Sequence, residues 1–170
     1  YVTWKKTLLY PQKDGKLEIN PMTLDVSIDV PTNRRDFFGN IIYTQSSSKV
    51  SSKKQIINVK SLPEDDRPED FLGAVGDFSI SLSSNKSELK ATESFQLELK
   101  IAGTGNLKLF SLPDIIVPSS LEKYDPEFKE NVNIGLSGMN GNISNTYTIV
   151  PQFQGKYPIP IIKFSFFNPS

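Results

Sequence analysis

The side chains able to do chemistry in this chain are carboxylates, hydroxyls and aromatic rings, because it contains neither histidine nor cysteine. That removes disulfides, thiolate nucleophiles, zinc sites built on sulfur or imidazole, and every triad that needs an imidazole base. Glycosidase-type chemistry needs two facing carboxyls. Glu88, Glu93, Glu98, Glu122 and Asp125 supply candidates, but none stands in a recognisable context, and charged strand faces normally point to water. The acidic stretch Pro63-Glu64-Asp65-Asp66-Arg67-Pro68-Glu69-Asp70 offers oxygen ligands for calcium without EF-hand spacing; a solvated, self-repelling linker is the commoner use of such a run. Gly103-Thr104-Gly105-Asn106-Leu107-Lys108 lacks the Lys-Ser/Thr and the following helix of a phosphate-cradling loop, and reads as a turn. No cofactor is called for.

The aromatic doublets Phe37-Phe38 and Phe166-Phe167 carry a different signal. Successive side chains of a strand face opposite ways, so one ring of Phe166-Phe167 leaves its own core. Either a neighbouring loop or domain covers it, or it forms a partner-binding surface. These four residues are the candidate binding positions.

Lysine plus arginine equals aspartate plus glutamate, 19 each, so no concentrated positive surface is forced on the protein and nucleic acid is not expected as a partner. No apolar run approaches the roughly 18 residues of a membrane span. A chain that opens on Tyr1 rather than Met reads as an internal fragment, with any signal or anchor lying outside it.

The elements that must position these residues are strands. Val2 to Tyr10 is rich in β-branched and aromatic residues. Met22, Leu24, Val26, Ile28 and Val30 alternate with Thr23, Asp25, Ser27 and Asp29, the period-two signature of a half-buried strand. Thr32 to Ser48 reads as a polar loop with a short strand at Ile41 to Tyr43, and Val50 to Val59 as a closing strand. Beyond the acidic linker, three apolar rows are expected: Phe78, Ile80 and Leu82; Phe95, Leu97, Leu99 and Ile101; Leu107 and Leu109. Val132, Ile134 and Leu136 alternate after Tyr124-Asp125-Pro126, Gly135 to Asn142 reads as a hairpin loop, and Ile162, Phe164 and Phe166 close the last row.

Pro-Gln-x-x-Gly-Lys-x-x-Ile occurs twice, at Pro11 to Ile19 and at Pro151 to Ile159. Each copy reads as a strand ending at proline, a turn with glycine at positive φ, and a returning strand. About seven short strands in the last ~95 residues, with no helix of ~10 residues, fit an immunoglobulin-like sandwich without its disulfide. The expectation is therefore all-β, with tandem immunoglobulin-like (fibronectin-like) antiparallel sandwiches: the C-terminal part of a first domain over residues 1–61, a linker over 62–75, and a second domain over 76–170. Measured by the repeat, the first domain lacks its beginning and the second its last strand, leaving an unpaired edge beside the final hairpin.

Phe71-Leu72-Gly73-Ala74-Val75-Gly76-Asp77-Phe78, Gly105-Asn106-Leu107-Lys108, Tyr124-Asp125-Pro126, the second corner and Phe164-Ser165-Phe166-Phe167-Asn168-Pro169 together resemble the BatD family of Bacteroides aerotolerance, or oxygen tolerance, proteins. Trp4-Lys5-Lys6, Tyr10-Pro11-Gln12 and Arg34-Arg35-Asp36-Phe37-Phe38-Gly39 extend the resemblance to the N-terminal part. It implies a non-enzymatic scaffold of tandem β-sandwiches on the periplasmic side of the inner membrane, anchored through segments outside this fragment. The partners it implies are sibling Bat proteins, some with von Willebrand factor A domains, and it transfers no catalytic residue. The alternatives are a carbohydrate-binding or adhesin sandwich, which needs coplanar exposed rings, and a hydrolase, which needs a pocket with two facing carboxylates.

Overall fold

A computed structural model describes residues 6–90, 92–159 and 161–169. Among them are ten β-strands and no helix, so the chain is all-β. It divides into two compact units, one of Pro11–Ser61 and one of Tyr1–Tyr10 with Leu62–Ser170. The expected strand from Val2 lies outside the described residues as far as Lys5, and Lys6 to Tyr10 forms no strand.

The smaller unit is one two-stranded ribbon. Strands β1 (Gly15–Ile19) and β4 (Gln55–Val59) pair antiparallel, as do β2 (Thr23–Arg35) and β3 (Ile41–Ser51). One register runs through both pairs: Gly15 faces Val59, Ile19 faces Gln55, Thr23 faces Ser51 and Pro31 faces Tyr43. The ladder lapses only around Pro21, which has no N–H to give. Ser52 spans the lapse, its amide donating to Met22 O and its Oγ accepting from Met22 N, both at 2.9 Å. The register then shifts between Pro31 and Arg35.

Most of the expected loop from Thr32 to Ser48 is therefore strand. The alternation of β2 is as expected, but its partners on β3 are serines and threonine: Val26 faces Ser48, Ile28 faces Ser46 and Val30 faces Thr44. Hydroxyl pairs such as Ser27 with Ser47, at 3.1 Å, hold the opposite face, and this polar composition hid the strand. No described residue of the unit is fully buried.

The larger unit is a six-stranded sheet of β5 (Phe71–Ser84), β6 (Phe95–Gly105), β7 (Leu121–Lys123), β8 (Glu127–Gly135), β9 (Gly138–Pro151) and β10 (Ser165–Phe167). Its order is β10-β5-β6-β9-β7, with β8 also paired to β9. Every pairing is antiparallel except β10 with β5. Strand β5 begins at Phe71, so Phe71 to Val75, expected in the linker, belongs to the sheet. The expected loop from Gly135 to Asn142 shrinks to Leu136 and Ser137, since Gly135 faces Gly138 across the hairpin.

Phe95, Leu97, Leu99 and Ile101 of β6 are all buried, as their alternation demands, and they meet Ile143, Tyr147 and Ile149 of β9. Phe78 is buried beside them, whereas Ile80 and Leu82 of the same row stay more than a third exposed. The cover is irregular chain rather than a second sheet. Leu107 and Ile115 are buried in it, and Tyr157, Ile159, Ile162 and Phe164 pack on from the C-terminal segment. Leu107 and Leu109 thus make no third strand: Leu109 N donates to Asn106 O at 2.8 Å and closes a turn.

The two corner motifs are not structural equals. Gly15 takes φ +92 and opens β1, while Gly155 keeps ordinary φ and, among the described residues, is followed by no strand until Ser165. An alanine Cβ at Gly155 would sit 3.3 Å from the Tyr157 ring, whose Oη donates to Phe153 O at 2.6 Å; the second corner is held by this aromatic clasp. No hairpin joins β9 to β10. The chain crosses to the far edge of the sheet, where β10 lies parallel to β5.

Candidate functional site

Phe37 and Phe38 sit at the closed end of the ribbon, in the turn between β2 and β3. The sequence Asp36-Phe37-Phe38-Gly39-Asn40 builds this turn from its own polar groups. The Asp36 carboxylate accepts from Phe38 N at 2.9 Å and Asn40 N at 2.8 Å through Oδ1, and from Asn40 Nδ2 at 2.9 Å through Oδ2. The backbone closes the same loop, Gly39 N donating to Asp36 O at 3.0 Å and Asp36 N to Asn40 O at 2.9 Å. Gly39 takes φ +82, where any other residue would be strained. Arg35 Nη1 adds a bond to Gly39 O at 2.7 Å. The Asn40 side chain above all, with the backbone amides, holds the Asp36 carboxyl below the usual carboxylate range.

This turn presents both rings to water. Phe37 is 97% and Phe38 84% exposed, and they meet edge to face at 5.6 Å and 89°. Arg34 and Arg35 precede them, and Ile41, Ile42 and Tyr43 follow, all exposed.

The other doublet belongs to the larger unit. Phe166 packs against Phe78 at 5.7 Å and Phe164 at 6.0 Å, at the margin of a cluster that includes Phe110. Phe167, the next residue of the edge strand, is half-buried. Ser165 Oγ donates to Asp70 Oδ2 at 2.8 Å and fixes β10 beside the start of β5.

Two of the candidate carboxylates, Glu93 and Glu122, are in structural use. Glu93 pairs with Lys86, whose ammonium keeps its carboxyl below the usual range. Glu122 accepts from Tyr124 Oη at 2.9 Å, which raises the phenol. A cleft of about 860 Å³ opens between Leu89, Phe95, Leu121, Phe153 and Tyr157, and among the described residues lining it Glu88 is the one carboxylate. No group of three acidic residues able to hold a metal occurs among the described residues. Arg67 lies over the Phe71 ring at 4.9 Å, anchoring the acidic stretch. No described helix is long and apolar enough to cross a membrane.

One cluster escaped sequence reasoning. Lys123 Nζ donates to Asp114 Oδ1 at 2.8 Å, Asp114 Oδ2 at 3.0 Å and Ile115 O at 2.7 Å, and lies 5.2 Å from the centre of the Tyr147 ring. Tyr147 Oη reaches Asp114 Oδ1 at 3.3 Å. This network locks the irregular cover onto β9. Its members come from distant segments, so no local pattern announces it.

No curated protein and no solved structure matches the chain. The model of the BatD DUF11 like domain matches residues 82–169, from the end of β5 through β10. The match covers more than half of the chain, including the whole buried row of β6 and the cover that packs on it. By that match the chain belongs to the BatD family.

Proposed function

We propose that the chain is a non-enzymatic protein-interaction module of a membrane-anchored, extracytoplasmic BatD protein linked to oxygen tolerance, and that it engages sibling Bat proteins bearing von Willebrand factor A domains. One observation carries the interaction reading. The ribbon leaves Val26 38% and Ile28 55% exposed in the same row as Leu24 and Val30, with Val50, also 55% exposed, opposite Leu24. A two-stranded ribbon is marginal in water without a further layer, and among its described residues β2 and β3 pair only with each other. Such a face suits a protein partner that adds a strand or covers the row.

In this reading the two units are parts of tandem immunoglobulin-like domains, the ribbon belonging to the first and the six-stranded sheet supplying one layer of the second, with irregular chain as its other layer. What supports it is the antiparallel β5-β6-β9 sheet with one buried face. The carbohydrate-binding alternative draws less support, since rings crossing at 89° offer no flat platform for a sugar.

Calorimetric titration of the purified chain with purified von Willebrand factor A domain Bat proteins tests the proposal. Binding is expected, with Ile28→Asp weakening it by about tenfold or more, the effect of burying a charge in an apolar contact. Failure to bind any sibling, or binding that ignores Ile28→Asp, would overturn it.

A further inference from the structure

We propose that the tip of the ribbon is a membrane wedge: Phe37 and Phe38 enter the interfacial zone of a bilayer while Arg34 and Arg35 meet anionic headgroups. This stands apart from the protein-contact reading, which concerns the side of the ribbon rather than its end.

The two rings are almost wholly in water, at 97% and 84%, yet the turn beneath them is fully built. Six hydrogen bonds among Arg35, Asp36, Phe38, Gly39 and Asn40 hold it. A loop pre-organised to this degree loses little freedom when its rings are buried. The rings cross at 89°, so they cannot lie flat together on a protein surface; a deformable headgroup region accepts both.

Charge is layered to match. Arg34 and Arg35 stand just behind the rings and are exposed. The Asp36 carboxylate is occupied by the amides of Phe38 and Asn40 and the side chain of Asn40. The next carboxylate along β2 is Asp29, opposite Gln45, about 20 Å back from Arg35 at the rise of a strand. With Asp36 ionised against Arg34 and Arg35, the end of the ribbon keeps a net charge of one positive unit where headgroups would lie. Tyr43, 60% exposed opposite Pro31, adds the amphipathic ring that interfaces favour. Apolar rings foremost, then cations and a tyrosine, is the profile of an interfacial anchor of modest strength.

The test is co-sedimentation of the full chain with phosphatidylcholine vesicles, with and without phosphatidylglycerol, alongside the emission of a Phe38→Trp variant. Binding is expected with phosphatidylglycerol, weakened by about tenfold or more in Phe37→Ser/Phe38→Ser, as loss of two buried rings requires. Arg34→Gln should reduce the preference for phosphatidylglycerol; Arg35 is avoided because it also bonds the turn. Phe38→Trp should shift its emission to the blue and be quenched by brominated lipid. Circular dichroism identical to the parent shows that the serine variant still folds. Absence of vesicle binding, binding indifferent to the serine variant, or a Phe38→Trp emission unmoved by lipid would each overturn the proposal, as would capture of the tip by a protein pocket without vesicle binding.

Discussion

Asn106 and Val75 are joined twice: Asn106 Oδ1 accepts from Val75 N at 2.7 Å, and Asn106 N donates to Val75 O at 3.0 Å. Its Nδ2 also donates to Gly73 O at 2.8 Å. One side chain past the end of β6 thus continues the ladder that β6 can no longer supply to β5. Two sequence motifs far apart in the chain, Gly105-Asn106-Leu107-Lys108 and Phe71-Leu72-Gly73-Ala74-Val75-Gly76-Asp77-Phe78, are in this way a single joint.

Replacing Asn106 by alanine strands two half-buried backbone groups. The expected loss is about 1–3 kcal/mol, read as a lower urea midpoint at unchanged slope. Asn106→Asp keeps the acceptor for Val75 N but sets a second oxygen against Gly73 O, so it should recover only part of the loss. Equal stability of parent and alanine variant would remove the joint from the account.

Gly105 beside it admits no side chain. A Cβ there would lie 2.3 Å from Val75 O and 2.6 Å from Phe78 Cζ, at φ +146. One obstacle is backbone and the other a buried ring, so neither yields cheaply. Gly105→Ala is expected to lower stability by at least about 1–3 kcal/mol, visible as a fall in Tm, and to perturb the aromatic near-ultraviolet signal through Phe78 and its neighbours.

The Asp114 carboxyl is held below its usual range chiefly by the Lys123 ammonium. A carboxyl whose folded pKa is depressed adds stability above its unfolded value, near pH 4, and that stability is lost as pH falls through the depressed value. Tm should therefore drop below about pH 4, and Asp114→Asn should flatten part of the drop. Asp36 and Glu93 shift in the same direction, so they contribute to the slope left in the variant. Because the Asp114 side chain is 71% exposed, the effect is small, under about 1 kcal/mol.

The strands that could be read in advance were those whose apolar residues alternate alone, as in β6, where the period of two coincides with burial. Only the ends of β3 are legible, at Ile41 to Tyr43 and at Val50; its middle is not, because the partners to Val26, Ile28 and Val30 there are hydroxyl residues, so the pattern resides in the pair and not in either strand. The cover of the larger core was missed for another reason. Pro113 and Pro118 flank Ile115 and prevent a ladder, yet Ile115 is completely buried; burial there comes from contact with distant strands. The destination of the C-terminal segment was likewise a long-range choice, made by Phe164, Phe166 and Ser165 against Phe78 and Asp70. At the tip, the doublet itself was legible, but its exposure depended on a turn too short to fold back over the rings.

That turn provides the last test. Asp36 receives three hydrogen bonds through its carboxylate, and each ends on Phe38 or Asn40, so its removal loosens the loop and nothing else. In Asp36→Ala the amides of Phe38 and Asn40 lose their acceptor and become water-exposed. They should exchange hydrogen faster by about tenfold or more, because each loses a bond to a charged acceptor. Amides of the β5-β6-β9 sheet should exchange as before. Lowering the pH protonates the same carboxylate, and because its pKa is depressed the parent should keep slow exchange at about pH 4 and approach the variant only below it. Exchange in the parent as fast as in Asp36→Ala at neutral pH would mean that the carboxylate does not order the turn, and the rings would then be carried on a loose loop rather than a fixed one.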